Sequence, residues 1–339
     1  MKTMDDIALA ANVSRTTVSN VISGKTGRVS DATVRRVRKI IQDAGYVPNL
    51  SARSLASHLS KVVALINYVH SESDSSFDDP FTSSLTNAVE FSMRKNGYYL
   101  MLRTVANAAE LKAFLLNWNI DGFFITGVTE GDEIHQTLLK IDKPIVLCDS
   151  HLTSFGNMVN IGLQDAEGAK LALEYLLKHN HTRIAFCSPP FIKGGVIDKR
   201  MQGYKQALAD AGINFDPNLV FASGFSSKES TTLGATIAKR NDITAIFATA
   251  DLLAAGIIAG INNSGKKVPR DYSIVGFDDL NWSSLISPGL TTIRQDMRLK
   301  GQRAADLMTN MLEGGSPSEN IVLPVTLVER CSVERIYVF

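Results

Sequence analysis

Thr3-Met4-Asp5-Asp6-Ile7-Ala8-Leu9-Ala10-Ala11-Asn12-Val13-Ser14-Arg15-Thr16-Thr17-Val18-Ser19-Asn20-Val21-Ile22 reads as two short helices around a tight turn, a helix-turn-helix whose second helix suits a DNA major groove. Thr3 can cap the first helix, with Asp5 and Asp6 in the first turn where carboxylates answer the positive end of the helix dipole. Asn12 stands where a left-handed turn residue is needed, and Ser14 supplies the next cap. Val18, Val21 and Ile22 then share a face that meets Ile7, Ala8 and Ala11, leaving Arg15, Thr16 and Asn20 to point elsewhere. Those side chains read base edges well: Arg pairs with guanine, Asn with adenine, and Thr offers a hydroxyl or a methyl. A third helix is expected after the cap Ser30, with Val34, Val37, Ile40 and Ile41 as its apolar stripe and Gly45 as its terminator. The plainer reading is a three-helix cap with a solvated polar face.

Charge favours the nucleic-acid reading. The whole chain of 339 residues carries a formal charge of +1, but residues 1–61 hold ten Lys or Arg against four Asp and no Glu, a surplus of +6 that leaves −5 for the rest. Only the head is built to approach phosphate, where counterion release dominates affinity. Cys148, Cys187 and Cys331 are far apart and lack metal-ligand spacing, so they read as structural thiols in a reducing compartment. No apolar run approaches membrane-spanning length and the start Met1-Lys2-Thr3-Met4-Asp5-Asp6 has no apolar signal region, so a cytoplasmic protein without a membrane partner is expected.

Beyond the head, Tyr46-Val47-Pro48-Asn49-Leu50-Ser51-Ala52-Arg53-Ser54-Leu55 leads into a segment where Asn49 can cap about two helical turns, too short to be stable alone in water. This predicts a hinge helix that orders only when something packs on it; a plain polar linker is the alternative. From Val62 short apolar runs alternate with amphipathic stretches. Strands are expected near 62–66, 98–102, 122–125, 145–147, 183–187, 219–221, 245–248 and 273–276, with helices such as 83–96, 165–178, 199–211, 227–240 and 251–264 between them. The pattern predicts two α/β lobes of four parallel strands each, breaking near Val159, with ligands at the carboxyl ends of strands in a cleft. A tail with a helix over 297–312 and a strand-like run over 321–328 is long enough to recross between lobes.

Over essentially its full length the chain resembles the lactose/galactose-repressor (LacI/GalR) family of bacterial transcription regulators. The resemblance rests on Val13-Ser14-Arg15-Thr16-Thr17-Val18-Ser19, Gly45-Tyr46-Val47-Pro48-Asn49, Ala52-Arg53-Ser54-Leu55 and Asn119-Ile120-Asp121-Gly122-Phe123-Phe124. It continues through His181-Thr182-Arg183-Ile184-Ala185-Phe186, Arg200-Met201-Gln202-Gly203-Tyr204, Val268-Pro269-Arg270-Asp271-Tyr272-Ser273-Ile274-Val275-Gly276-Phe277-Asp278-Asp279 and Leu290-Thr291-Thr292-Ile293-Arg294-Gln295. It implies a helix-turn-helix domain over 1–48, a hinge over 49–61, and a two-lobed body over 62–339 with the doubly wound fold of periplasmic sugar-binding proteins. Lobe 1 would take about 62–161 and 294–323, and lobe 2 about 162–293 and 324–339.

The family pattern makes Arg15, Thr16, Thr17, Asn20 and Arg53 DNA-contacting residues and Leu55 a wedge in the minor groove, where the cost of partial unstacking is offset by the larger surface that a bent duplex lays against the protein. A homodimer would set two heads on a pseudo-palindromic operator in double-stranded DNA. For the cleft it points to Phe81, Thr82, Asp149, Arg200, Phe225 and Asp278 around a small polar effector of carbohydrate chemistry, with no metal or other cofactor. Taken singly, Arg200 could serve a surface ion pair, Phe225 a core and Asp278 a turn cap; Arg103 and Trp282 sit at strand or loop ends without an assignment. Two departures stand out: Ala250-Asp251 where the family usually has Asn-Asp, and Asp79-Pro80-Phe81-Thr82 where Asn-Pro and two aromatics are common.

Three functions compete: an effector-controlled repressor, an enzyme on the α/β body, and a sugar-binding transport or sensor protein without a DNA role. Against catalysis, there is no Gly-x-Ser-x-Gly, no Walker loop and no metal spacing, and the six His are scattered. Against transport stand the basic head and the missing signal region.

Overall fold

The computed structural model describes residues 3–46, 59–69, 79–153, 155–191, 193–316 and 319–337. The expected hinge helix, with Arg53 and Leu55, lies outside the described residues. The chain divides into two compact units, Met1–Lys61 and Val62–Phe339.

In the first unit, α1 (Met4–Ala11), α2 (Arg15–Ile22) and α3 (Asp31–Asp43) follow the capping chemistry of the sequence. Thr3 and Asp6 form a reciprocal capping box, Ser14 caps α2 through the Thr17 amide, and Ser30 caps α3 through Thr33. Asn12 takes the left-handed conformation with φ of 47°, which ends α1 and turns the chain into α2. Ile7, Ala8, Ala11, Val18, Val21, Val34 and Val37 form the core, with Ile40, Ile41 and Tyr46 packed against it.

The second unit holds two six-stranded sheets. The first runs β11-β5-β4-β3-β1-β2, with β1 (Val62–Tyr68), β2 (Tyr99–Val105), β3 (Gly122–Thr126), β4 (Ile145–Cys148), β5 (Val159–Leu163) and β11 (Ile321–Leu323) all parallel. The second runs β12-β10-β9-β8-β6-β7, with β6 (Ile184–Ser188), β7 (Val220–Ala222), β8 (Ala245–Ala248), β9 (Ser273–Asp278) and β10 (Thr291–Arg294) parallel and β12 (Thr326–Val328) antiparallel at the edge. In each sheet the strand order reverses direction once, between β1 and β3 and between β6 and β8, and ligand crevices form at such switch points.

This corrects the count of four strands per lobe. Val159–Leu163 is no break but a fully buried fifth strand, whose alternation is hidden because both faces are covered. Thr291–Arg294 extends the second sheet, and the run over 321–328 splits at Pro324 into β11 and β12, one for each sheet. The tail therefore crosses from one sheet to the other.

Among the described residues the helices of this unit are α4 (Pro80–Lys95), α5 (Ala108–Asn117), α6 (Glu133–Leu138), α7 (Asp165–Lys178), α8 (Val196–Asp210), α9 (Ser227–Ile237), α10 (Asp251–Asn263) and α11 (Met297–Leu312). Two start earlier than periodicity suggests. Asp79 caps α4 with Pro80 in its first turn, and α8 begins at Val196 after Gly195, so the amino ends of both reach the strand termini. One continuous core joins Val63, Phe124 and Met308 of the first lobe to Phe186, Tyr204 and Phe277 of the second, while separate clusters cover the outer face of each sheet. No helix among the described residues is long and apolar enough to cross a membrane.

Candidate functional site

On α2, Arg15 and Thr16 are exposed and Asn20 is half-buried, so the outer face of the second helix presents the groups expected to read bases. Arg15 lies 3.6 Å from Asp5, an exposed pair that costs little to break when another acceptor approaches. Thr17 differs: its amide donates to Ser14 Oγ at 3.1 Å and its hydroxyl lies 2.9 Å from the same atom, so part of its hydrogen-bonding capacity is spent on the cap.

In the second unit one cavity of about 340 Å³ gathers Phe81, Thr82, Asp149, Arg200, Phe225 and Asp278, all six residues expected at the cleft. Each comes from a carboxyl end of a strand or the element that follows it. Asn67 lies next to the end of β1, Thr126 closes β3 and Gly127 follows it, Asp149 follows β4, Thr249 and Ala250 follow β8, and Asp278 closes β9. Gly127 holds φ of 81°, and a Cβ there would lie 2.4 Å from the Tyr68 carbonyl, so the chain can leave β3 beside β1 only as glycine. Phe225, exposed to 40%, is a wall of the cavity and not a core aromatic.

Arg200 sits in a buried ion pair. Its Nε donates to Asp165 Oδ1 at 2.9 Å, its Nη1 donates to the Thr249 carbonyl, and the guanidinium lies 3.5 Å from the centre of the Phe277 ring. Burial by itself would raise the Asp165 carboxyl, but the Arg200 charge and the hydrogen bond from His151 outweigh it and hold the group below its ordinary value. His151 Nε2 and Asp165 Oδ2 are 3.1 Å apart, linking the loop after β4 to the first turn of α7.

Asp149 faces a cation that the sequence reading missed. Lys300, fully buried on α11, donates to both Asp149 oxygens at 2.8 Å and to Gln295 Oε1 at 2.9 Å. Gln295 Nε2 donates onward to Asp278 Oδ1 at 2.6 Å. A chain of four side chains thus runs from the first lobe's carboxylate to the second's. A signal existed: Lys300 precedes Ala304, Leu307 and Met308 at helical spacing, a charge on the apolar stripe of α11.

Asp278 itself is buried, and desolvation pushes its carboxyl well above the ordinary carboxylate range despite the opposing Arg200 charge. Asp149, Asp278 and Asp279 all hold positive φ, at 56°, 123° and 54°. Such backbone strain gathers where the surrounding structure over-determines a site. Asp251 is turned away from the cavity: it accepts from the Leu280 amide at 3.0 Å, from Ser283 Oγ and from Thr292 Oγ1, and burial raises it to about 6. Ala250 lines the cavity, beside Thr249, whose buried Oγ1 has no partner among the described residues. Arg103 and Trp282 are not among the lining residues.

No group of three or more His, Cys, Asp or Glu among the described residues is placed to hold a metal.

The chain matches bacterial regulatory proteins of the lacI family over residues 3–49 and a periplasmic binding protein-like domain over residues 173–333. It is 30% identical over 323 residues to the transcriptional regulator CelR of Thermobifida fusca, covering 92% of each chain. It is 31% identical over 344 residues to the ribose operon repressor of Haemophilus influenzae, covering 98% of this chain and 99% of that one. A lac repressor dimer bound to operator and the anti-inducer ONPF superposes with a TM-score of 0.84 at 25% identity, covering 98% and 99% of the two chains. A CelR–cellobiose complex does so with a TM-score of 0.72 at 27% identity, covering 98% and 100%. The helix-turn-helix head, the paired doubly wound lobes and these full-length likenesses together place the chain in the lacI family of bacterial regulatory proteins, as a DNA-binding transcription regulator.

Proposed function

We propose that this protein is a non-enzymatic, cytoplasmic repressor that binds a pseudo-palindromic operator as a homodimer and changes its operator affinity when a small carbohydrate occupies the cavity between its lobes. The observation that carries the reading is convergence: six side chains from separate stretches of both lobes line one cavity at the two switch points. Phe81 and Phe225 offer apolar faces to the C–H side of a ring, and Asp149, Arg200 and Asp278 offer fixed partners for hydroxyl groups. The cellobiose and the operator of the similar structures support the same division of labour. Arg15, Thr16 and Asn20 read bases in the major groove; Thr17, Arg53 and Leu55 complete the contact, Leu55 as the minor-groove wedge.

The test is to select the preferred duplex from random DNA with the full-length protein, then measure its binding by fluorescence anisotropy with and without a panel of sugars. A two-fold symmetric site whose affinity changes with one sugar supports the proposal. A protein that selects no site, or whose bound site ignores every sugar in the panel while sugars leave its melting temperature unmoved, refutes it.

A further inference from the structure

Resting on the carbohydrate reading above, we infer that the cavity is built to reject anions, so that its ligand is an uncharged or amine-bearing sugar and not a sugar phosphate or sugar acid, with Lys300 a specificity-determining residue behind the wall. Two cations approach the cavity, and each is already paired with a carboxylate. All three hydrogens of the Lys300 ammonium have acceptors, the two oxygens of Asp149 and the Gln295 carbonyl oxygen. The Arg200 charge is paired as well: Nε donates to Asp165 Oδ1, Nη2 lies 2.9 Å from the same oxygen and Nη1 donates to the Thr249 carbonyl, which leaves further N–H groups on Nη1 and Nη2.

The helix ends facing the cavity also carry negative charge. The α8 amino end, at Gly195 and Val196, carries Asp198 in its first turn, and that carboxylate accepts from the Gly194 amide at 2.8 Å. The α10 amino end, at Ala250, carries Asp251. Each of these helices thus carries an acidic residue in its first turn, where it opposes the positive end of the dipole, although neither amino end is capped by a side chain. Asp79 has both oxygens on α4, Oδ1 on the Phe81 amide at 3.2 Å and Oδ2 on the Thr82 amide and hydroxyl.

A phosphate or carboxylate entering this cavity would meet two cations against the three carboxylates Asp79, Asp149 and Asp165, with the Asp278 carboxyl beside them. To take the full charge of Lys300 or Arg200 it would have to displace Asp149 or Asp165 and leave that group buried without its partner, which is strongly unfavourable. Besides the remaining Arg200 N–H groups, the cavity offers acceptors for neutral donors: the Asp278 carboxyl, held at one oxygen by Gln295, and the buried Thr249 hydroxyl, unpartnered among the described residues. Hydroxyl or ammonium hydrogens suit both.

The experiment compares matched ligands on the wild-type, full-length protein by calorimetry and thermal shift: ribose against ribose 5-phosphate, and glucose against glucose 6-phosphate, glucuronate and glucosamine, with cellobiose as a larger uncharged ring pair. For any parent sugar that binds, its phosphate and acid forms are expected to bind at least about tenfold more weakly, and the amine at least as well as the parent. In Asp165→Asn, which keeps the shape but removes the charge opposite Arg200, that discrimination should narrow. A phosphate or acid that binds as tightly as its parent overturns the charge inference while leaving the carbohydrate reading intact. So does an unchanged discrimination in a folded Asp165→Asn protein. Should that variant fail to fold, the wild-type pairs decide alone. Absence of binding by every member, charged or not, removes the carbohydrate reading itself.

Discussion

Asp278 is the residue at which stability and ligand binding are most directly opposed. In the unfolded chain its carboxyl titrates near the ordinary value, whereas burial raises it in the fold, so the native state binds the proton more readily. The stability linked to that proton is complete below the unfolded value and is lost as pH rises through the folded one. Asp278→Asn should therefore be more stable than the wild type at neutral and alkaline pH, the difference shrinking toward roughly pH 4 as the wild-type group protonates. Urea denaturation followed by tryptophan fluorescence checks this, because both tryptophans, Trp118 and Trp282, lie in the body. A stability difference independent of pH would show that the Asp278 carboxyl is not raised. At the head, Arg15→Ala should cost about 1–3 kcal/mol on the preferred operator and relax the choice at one base pair, read by repeating site selection. The exposed Arg15–Asp5 pair makes a folding explanation for that loss a weak one, and an unchanged motif would mean that the side chain reads no base.

Among the elements, α7 and α8 cross so closely that glycine is required. A Cβ on Gly203 would lie 1.9 Å from the Ala166 carbonyl oxygen, and backbone cannot yield as a flexible side chain can. Gly203→Ala should push α8 outward, destabilise the body by about 1–3 kcal/mol, and shift Arg200, one turn earlier, away from Asp165. A variant with wild-type urea stability would show that the crossing has slack. Helix α11 has the opposite character. It is held in place by Lys300 at the cleft and by Gly301 against Ala88 of α4, so one helix carries both a cleft-wall contact and the packing of the first lobe. The amphipathic pattern located α11 to its ends, but the purpose of a lysine on its apolar face became visible only with Asp149 opposite.

For the whole molecule, a ligand can shift DNA affinity only by the difference between its affinities for two lobe arrangements. The buried Arg200–Asp165 pair makes Arg200→Ala a poor probe of that coupling, since removing the guanidinium strands a buried carboxylate at a cost of about 3–5 kcal/mol. Phe225→Ala is the cleaner variant because the ring is partly exposed and makes one wall of the cavity. It should bind operator like the wild type, while the sugar concentration needed to change that binding rises about tenfold or more, as expected for loss of an aromatic contact face. Operator titrations at graded sugar concentrations measure both quantities together, and an unchanged response would move the ligand away from Phe225.

Local chemistry was legible in the amino-acid order alone. Caps at Thr3, Ser14 and Ser30, the left-handed Asn12 and the apolar stripes defined three head helices, and the extents of α7 and α11 followed from periodicity. The six cleft residues were expected through the family resemblance, and the carboxyl ends of strands were expected to hold the ligand from the doubly wound pattern. What depended on partners distant in the chain was left to the tertiary structure. Val159–Leu163 looked like an interruption because a strand buried on both faces has no alternation, and 321–328 looked like one strand because only the position of two sheets divides it. The pairing of Lys300 with Asp149, 151 positions away, and of Arg200 with Asp165, 35 away, decides the charge of the cleft, and no local pattern encodes a contact that exists only once distant parts of the chain have folded together.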